Sequence, residues 1–541
     1  MIRPCKIIPA LVVVAAVFAV YAQTLQNGFV YDDNHIILAN EWIRDLARIP
    51  DILTSSTIFA DPARSASNTY RPLLFLVFMA EQFVFGLESP WGFHLVNVSL
   101  LALNGCLLYG IASMLFAKDE EGHASGYGFL PPLLASLVFT LHTINSEAAN
   151  WASAQAELLF TALFLAAFWI YTKGGREAVG RVAVSVLVYF LALLVKETAI
   201  ILPALLFAFD LIHDGRRIFK RAFNYAIFFG AAVVYMAIRT YAVGGVIQHR
   251  QAPLTGVELV INIFPLVFQY AWKLVYPTGL SALYELHAIK SFDLNAAAGI
   301  AVTAAFVAAF VVFRRRRAVF LGLIMMGLPL LPVLYIPALS TSASADRYMY
   351  LPTAGFGIIV GCIVEAVFRG KLKAAFSVAI IAVMIAVTAA YAFASFERVA
   401  VWRDDFALWS DTVRKSPGSR YAHYNLALAY QDRGDLDNAI VEFKAAIKAA
   451  PGYEDAHYNL AWCYQSKGDS INAAVHYREV LRLDPGSADA HYNLGLIYRG
   501  ESFFDEAAFE FREALRLKPG YAEATGALAE IPGAIGGVTA R

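Results

Sequence analysis

The sequence predicts an all-α protein in two parts, a polytopic membrane helix bundle followed by an α-solenoid built from repeats. Three observations carry that expectation. Of 541 residues, 59% are hydrophobic and 16% charged, a balance outside that of ordinary soluble domains. Apolar runs of bilayer-crossing length alternate with short charged loops up to about residue 396, the pattern of a polytopic chain. Beyond that point the chain turns polar, and one motif returns at a constant step of 34 residues. Formal net charge is zero, so no basic field points to nucleic acid. Cys5, Cys106, Cys362 and Cys463 are scattered, with neither zinc spacing nor a disulfide framework, and read as packed thiols.

The first apolar run follows Arg3 and Lys6 and extends to about Tyr21. Val20-Tyr21-Ala22 resembles a loose signal-peptide cleavage site, but the many later spans favour an uncleaved anchor. Spans are expected at about 5–22, 93–116, 129–145, 152–172, 181–195, 199–213, 222–240, 295–313, 318–336, 349–368 and 374–395. Basic residues orient them. Arg3 and Lys6, Lys173 and Arg176, the run from Arg216 to Arg221, Arg314 to Arg317, and Arg369, Lys371 and Lys373 all fall on the inner side of one alternating path. The acidic exception is Asp119-Glu120-Glu121.

Two more apolar stretches, about 72–86 and 258–276, break the alternation if each spans alone. They read as helices lying at the interface or dipping partway. If both span, about eleven spans become about thirteen, and the carboxyl end stays outside in either case. The outer side then receives the 24–71 loop, the His142–Trp151 turn, Lys196-Glu197-Thr198, the 241–294 region, the Ser340–Tyr350 loop and everything after about 396. The expected domains are a membrane domain over 1–396, a connecting helix over 397–417 and repeats with a cap over 418–541.

His423-Tyr-Asn425, His457-Tyr-Asn459 and His491-Tyr-Asn493 mark the repeats, with Pro417, Pro451, Pro485 and Pro519 keeping the same step. This is the tetratricopeptide (TPR) period. Small residues Ala427, Ala461 and Gly495 allow close helix approach, as do Ala439, Ala473 and Ala507, while Phe443, Tyr477 and Phe511 fill the groove between paired helices. Flanking helices near Asp404–Lys415 and Ala522–Glu530 cover the ends. The three histidines in register allow a metal stripe, but they occupy a packing position, so structural use is favoured. The concave face of such an array suits a protein or peptide partner.

The polar residues of the outer side are candidates for chemistry. Asp32 and Asp33, in Tyr31-Asp32-Asp33-Asn34-His35, form a carboxylate pair just past the first span. Ionised groups at a hydrocarbon edge commonly have a function, although such a pair also serves as a turn or cap. Arg71, in Tyr70-Arg71-Pro72, suits a lipid phosphate or snorkels as an anchor. Glu147 lies in the polar turn from His142 to Trp151, and Glu157 sits in the next span. Lys196-Glu197 caps a helical hairpin or offers a cation to phosphate. Asp346-Arg347-Tyr348 opens another span.

In their order, these motifs resemble the GT-C glycosyltransferases, most closely the transmembrane-and-TPR O-mannosyltransferase (TMTC) family and its prokaryotic relatives. The matching residues are Tyr31-Asp32-Asp33, Tyr70-Arg71-Pro72-Leu73, Phe93-His94 with Asn97, His142 to Glu147, Ala156-Glu157-Leu158, Lys196-Glu197, Asp346-Arg347-Tyr348 with Tyr350, and the repeats. An Asp stands at 346 where the family usually has Glu, and the repeat array is short. The resemblance implies a GT-C-like bundle that moves a sugar from a polyprenyl-phosphate donor, dolichyl-linked in eukaryotes and undecaprenyl-linked in bacteria, to a protein or peptide hydroxyl.

By that resemblance Asp33 or Asp32 is the general base, with a slight lean to Asp33. Such a base is needed because a serine or threonine hydroxyl is a poor nucleophile until its proton leaves. Arg71, Lys196 and Arg347 would hold the departing phosphate, with Tyr31, His94, Glu147, Glu157, Glu197, Asp346 and Tyr348 in support. Inverting single displacement follows. Metal use stays unassigned, because Asp32-Asp33 is not a spaced Asp-x-Asp. The implied location is the cytoplasmic membrane with the TPRs on the periplasmic side, or the lumenal equivalent in a eukaryote. A non-catalytic TPR scaffold and a flippase or polymerase for lipid-linked glycans remain as alternatives.

Overall fold

The computed structural model describes residues 7–55, 69–88, 90–116, 128–173, 179–215, 218–244, 256–284, 292–334, 344–369 and 373–532. Arg3, Cys5, Lys6, Asp119-Glu120-Glu121, Arg176, Arg216, Arg217 and Lys371 lie outside these residues, as does the first part of the Ser340–Tyr350 loop. The chain divides into two compact units, Met1–Asp404 and Asp405–Arg541.

The first unit is helical. Its helices are α1 (Ile7–Tyr21), α2 (Ile49–Thr54), α3 (Pro72–Phe85), α4 (Trp91–Leu115), α5 (Leu130–Leu141), α6 (Ser146–Asn150), α7 (Gln155–Thr172) and α8 (Val179–Val195). They continue with α9 (Leu202–Asp214), α10 (Ala222–Val243), α11 (Gly256–Val275), α12 (Leu294–Phe313), α13 (Arg317–Gly327), α14 (Tyr350–Arg369) and α15 (Ala374–Val399). Among the described residues, seven helical stretches are long and apolar enough to cross a membrane, and five shorter apolar helices accompany them. The protein is therefore a multi-pass membrane protein.

Three of the long stretches, containing α4, α7 and α14, are more than half buried by other helices, whereas those of α12 and α15 present most of their surface outward. Apolar residues on outward faces suit lipid contact, where hydrocarbon replaces protein as the neighbour. Close packing depends on small residues. A Cβ on Gly355 of α14 would lie 2.5 Å from the Gly322 carbonyl oxygen and 2.7 Å from the Met326 nitrogen, so α13 and α14 meet backbone to backbone.

Two expected spans are interrupted. The stretch 129–145 stops at Leu141, where His142 turns to extended backbone and its side chain accepts from the Ile144 N–H. The stretch 318–336 leaves the α-helix at Gly327, followed by a tight turn containing Pro329. Proline lacks the N–H that would continue the ladder. At the other end, α15 runs on to Val399, past the expected 395, and the next α-helix begins at Asp405.

The second unit stacks α16 (Asp405–Lys415), α17 (Arg420–Asp432), α18 (Leu436–Ala449), α19 (Glu454–Ser466), α20 (Ser470–Leu483), α21 (Ala488–Gly500), α22 (Phe504–Leu517) and α23 (Ala522–Ala529). Ala439, Ala473 and Ala507, with Phe443, Tyr477 and Phe511, are fully buried between paired helices. Asn459 donates to the Tyr424 hydroxyl at 3.1 Å and Asn493 to the Tyr458 hydroxyl at 2.9 Å. The same bond thus ties each repeat to the one before it. Gly434 and Gly468 supply the left-handed residue of the hairpin turn, but the third turn places Ser502 there at φ 65°.

Candidate active site

The site grows from the loop after α1. Gly28 N–H bonds the Arg403 carbonyl at 2.8 Å, and the Asn27 side chain reaches the Val399 carbonyl at 3.3 Å. His94 is buried in α4, and its Nε2 donates to the Gly28 carbonyl at 3.4 Å. Held at its start, the chain turns through Tyr31, whose φ of 56° is costly for a residue with a side chain. A short π-helical turn, Asn34–Leu38, follows.

This turn gives the two carboxyl groups different surroundings. Asp33 is fully buried. Its Oδ2 accepts from the Val30 N–H at 3.1 Å, and its Oδ1 accepts from the Ser153 N–H at 2.7 Å and from the Ser153 hydroxyl. Burial pushes its carboxyl up to about 7 against the pull of these hydrogen bonds. Asp32 is half-buried. Burial raises its proton affinity too, while Arg347 and then His35 pull it back. Asp33 is thus pinned on both oxygens, and Asp32 lies within the electrostatic influence of Arg347.

The opposing wall is the segment from Asn145 to Glu157, which returns from α5 through α6 into α7. Its residues dock one element after another. Asn145 bonds the Phe139 carbonyl at 2.7 Å and Thr353 of α14 at 3.0 Å. Glu147 is buried and accepts from both the backbone N–H and the guanidinium of Arg347. Asn150 accepts from Thr24. Trp151 stacks on Tyr31 at 5.5 Å and on Trp402 at 6.1 Å, with the Arg347 guanidinium 5.2 Å from its ring. Ser153 holds Asp33, Gln155 holds Glu81 of α3, and Glu157 accepts from Lys196.

Arg71, Lys196 and Arg347 belong to one charged belt. Arg71 pairs with Glu197 at 3.4 Å, Lys196 with Glu157, and Arg347 with Glu147. Glu157 is near enough to influence all three cations. At Glu197 burial opposes ionisation, but Arg71, a backbone N–H and Lys196 together hold it at about 2. Burial lowers the proton affinity of Lys196 despite its partner Glu157. Tyr348 borders the belt, with Lys196 5.6 Å and Arg347 5.3 Å from its ring. Arg71 also lines a shallow recess with Trp42, Ile52, Ser55, Thr69, Pro72 and Phe75.

Asp346 has a different role from its neighbour. It is buried and takes Lys273 of α11 at 3.0 Å and the Tyr284 hydroxyl at 2.8 Å. The adjacent charges expected as one pair therefore find separate partners. Ser153, Lys273, Tyr284 and Glu81 escaped the reading from sequence. Two left a signal there, since Lys273 is the single cation near the end of an apolar helix and Glu81 lies inside one. Among the described residues, no group of three or more His, Cys, Asp or Glu side chains is placed to hold a metal ion.

A multi-pass helical bundle followed by a TPR solenoid is the class these features define. The family model for the tetratricopeptide repeat matches residues 407–454 and 424–487, and a second tetratricopeptide model matches 488–521. Over most of its length the chain resembles the TMTC family. It is 23% identical to human "Protein O-mannosyl-transferase TMTC4", covering 81% of this chain and 66% of the relative. It is 25% identical to Caenorhabditis elegans "Protein O-mannosyl-transferase F38B6.6", covering 79% and 61%, and 23% identical to Drosophila melanogaster "Protein O-mannosyl-transferase Tmtc3", covering 81% and 54%. The chain thus spans between about half and two thirds of these relatives. Among solved structures, MamA is 29% identical, with a TM-score of 0.21 over 21% of this chain and 67% of that one. YrrB is 15% identical, with a TM-score of 0.22 over 41% and 97%.

Proposed function

We propose that this protein is a membrane glycosyltransferase that moves a sugar from a polyprenyl-phosphate donor to a hydroxyl of a protein acceptor on the outer side of the membrane. The observation that carries the reading is the state of Asp32, half-buried, its proton affinity raised by burial and drawn back first by the charge of Arg347. Asp32 is the general base. It takes the acceptor proton as the oxygen attacks the anomeric carbon, the carbon–phosphate oxygen bond breaks, and the configuration inverts. Arg347 stabilises the charge gathering on the leaving phosphate, with Lys196 and Arg71 further along the belt. Asp33, engaged on both oxygens, fixes the loop that presents Asp32. The TPR unit offers the acceptor, and the names of the relatives support transfer of mannose to protein.

The test is sugar transfer by purified protein from synthetic polyprenyl-phosphate mannose to peptide acceptors. Asp32→Asn is expected to lower turnover by roughly 10²–10⁴-fold, the usual contribution of a positioned base. Asp33→Asn is expected to lower thermal stability as well as turnover. Wild-type turnover in Asp32→Asn would end the assignment. One observation favours the scaffold alternative: each cation of the belt already has a carboxylate partner. Wild-type protein that transfers no sugar from this donor would support that alternative, whereas an Arg347→Gln variant that transfers sugar normally would make the Arg347–Glu147 pair purely structural.

A further inference from the structure

The second helix of every repeat turns one side away from its array, and that side repeats in register. Val441 of α18, Val475 of α20 and Phe509 of α22 stand at one repeat position and are 59%, 51% and 58% exposed. Ile471, one turn before Val475, is 80% exposed. Three residues on come Lys444, Arg478 and Arg512, and seven on come Lys448, Arg482 and Arg516, all exposed. Offsets of three and seven keep one helical face, so an apolar row runs beside two basic rows across three repeats.

The acidic groups on this face are few and mostly engaged. Glu479 pairs with Arg482 at 2.6 Å and Glu513 with Arg516 at 2.7 Å. Asp437 pairs with Lys467, and Asp505 and Glu506 stand in the first turn of α22. A solvated solenoid face has no need of large apolar residues aligned in this way. Apolar teeth flanked by lysine and arginine are the composition of a helix resting in a lipid head-group region.

We propose that this face of the repeat unit rests on an anionic lipid surface. The apolar row enters the head-group layer, and the basic rows meet lipid phosphates. Reach favours this occupant. The membrane-length stretch Ala374–Trp402 ends just before the repeat unit begins at Asp405, so a bilayer surface stands at high effective concentration. A contact too weak to recruit a free protein is sufficient for a tethered one.

The experiment uses the full chain in nanodiscs, with the photo-crosslinking residue p-benzoylphenylalanine at Val475 or, separately, at Phe509. In discs containing phosphatidylglycerol the expected product is a lipid adduct, about fivefold more abundant than in discs of phosphatidylcholine alone. Combined Lys448→Glu, Arg482→Glu and Arg516→Glu is expected to remove that excess, as is high salt. Circular dichroism of the variant checks that the helices persist. Equal adduct in both discs would overturn the anionic preference. Crosslinking to a second copy or another protein, or no lipid adduct at all, would overturn the lipid contact itself.

Discussion

Tyr31 shows how one backbone angle can separate two adjacent identical side chains. Its positive φ lets Asp33 turn inward to Ser153 while Asp32 stays half-buried under the electrostatic influence of Arg347. The belt and the acidic pair bring Arg71, Lys196, Lys273 and Arg347 close to Asp32, Asp33, Glu147, Glu157, Glu197 and Asp346. Fully ionised, that set is net negative and would repel a phosphodiester. Burial raises the proton affinities of Asp32, Asp33 and Glu147, which relieves the mismatch. A base must be ionised to work, so kcat/KM is expected to rise with pH as Asp32 loses its proton. Arg347 favours the ionised form, so Arg347→Gln is expected to move that rise to higher pH. Activity profiles over pH measure the shift, and an unmoved profile would separate Arg347 from Asp32.

At the scale of elements, the repeats were legible because each one repeats the same packing problem. Small residues and aromatics recur where paired helices must touch, so Ala439, Phe443 and their counterparts announce themselves. The long membrane helices were legible from length and hydropathy alone. Their interruptions at His142 and Pro329 were harder to read, since apolar residues continue on both sides. The site was legible as a set of residues but not as a set of pairs. Ser153 and Asp33, or Lys273 and Asp346, meet only through the fold, and no local pattern links them.

The middle repeat departs from its sisters in a way that matters for acid stability. His423 and His491 each bond a glutamate, Glu442 and Glu510, at 2.5 Å, but His457 meets His476 instead, Nδ1 to Nδ1 at 3.1 Å. Tyr464, Lys444 and Glu479 also neighbour His476. Burial first, then His457 and Lys444, hold His476 at about 4, below its ordinary 6.5. The unfolded chain therefore binds this proton more readily, and stability falls as pH drops from about 6.5 towards 4. The loss is expected to be on the order of 1 kcal/mol after allowance for solvent screening. His476→Glu is expected to reverse it. Hydrogen exchange over α19 and α20 at pH 7 and pH 5 measures both; equal protection at the two pH values would contradict the account.

Across the whole first unit, the segment from Asn145 to Glu157 touches most of what defines the candidate site. Ser153, Gln155 and Glu157 alternate along one short stretch and hold the acidic loop, α3 and the α8–α9 turn respectively. Its bonds reach partners as distant in sequence as Asp33 and Arg347. Ser153→Ala and Gln155→Leu are therefore expected to be non-additive in a double-mutant cycle on thermal stability, with a coupling of roughly 0.5–3 kcal/mol. Simple additivity would show that the anchors act independently. For the history of the protein this predicts epistasis among the acidic loop, α3 and the lysine turn. A lineage that alters one of these anchors is expected to have altered the others with it.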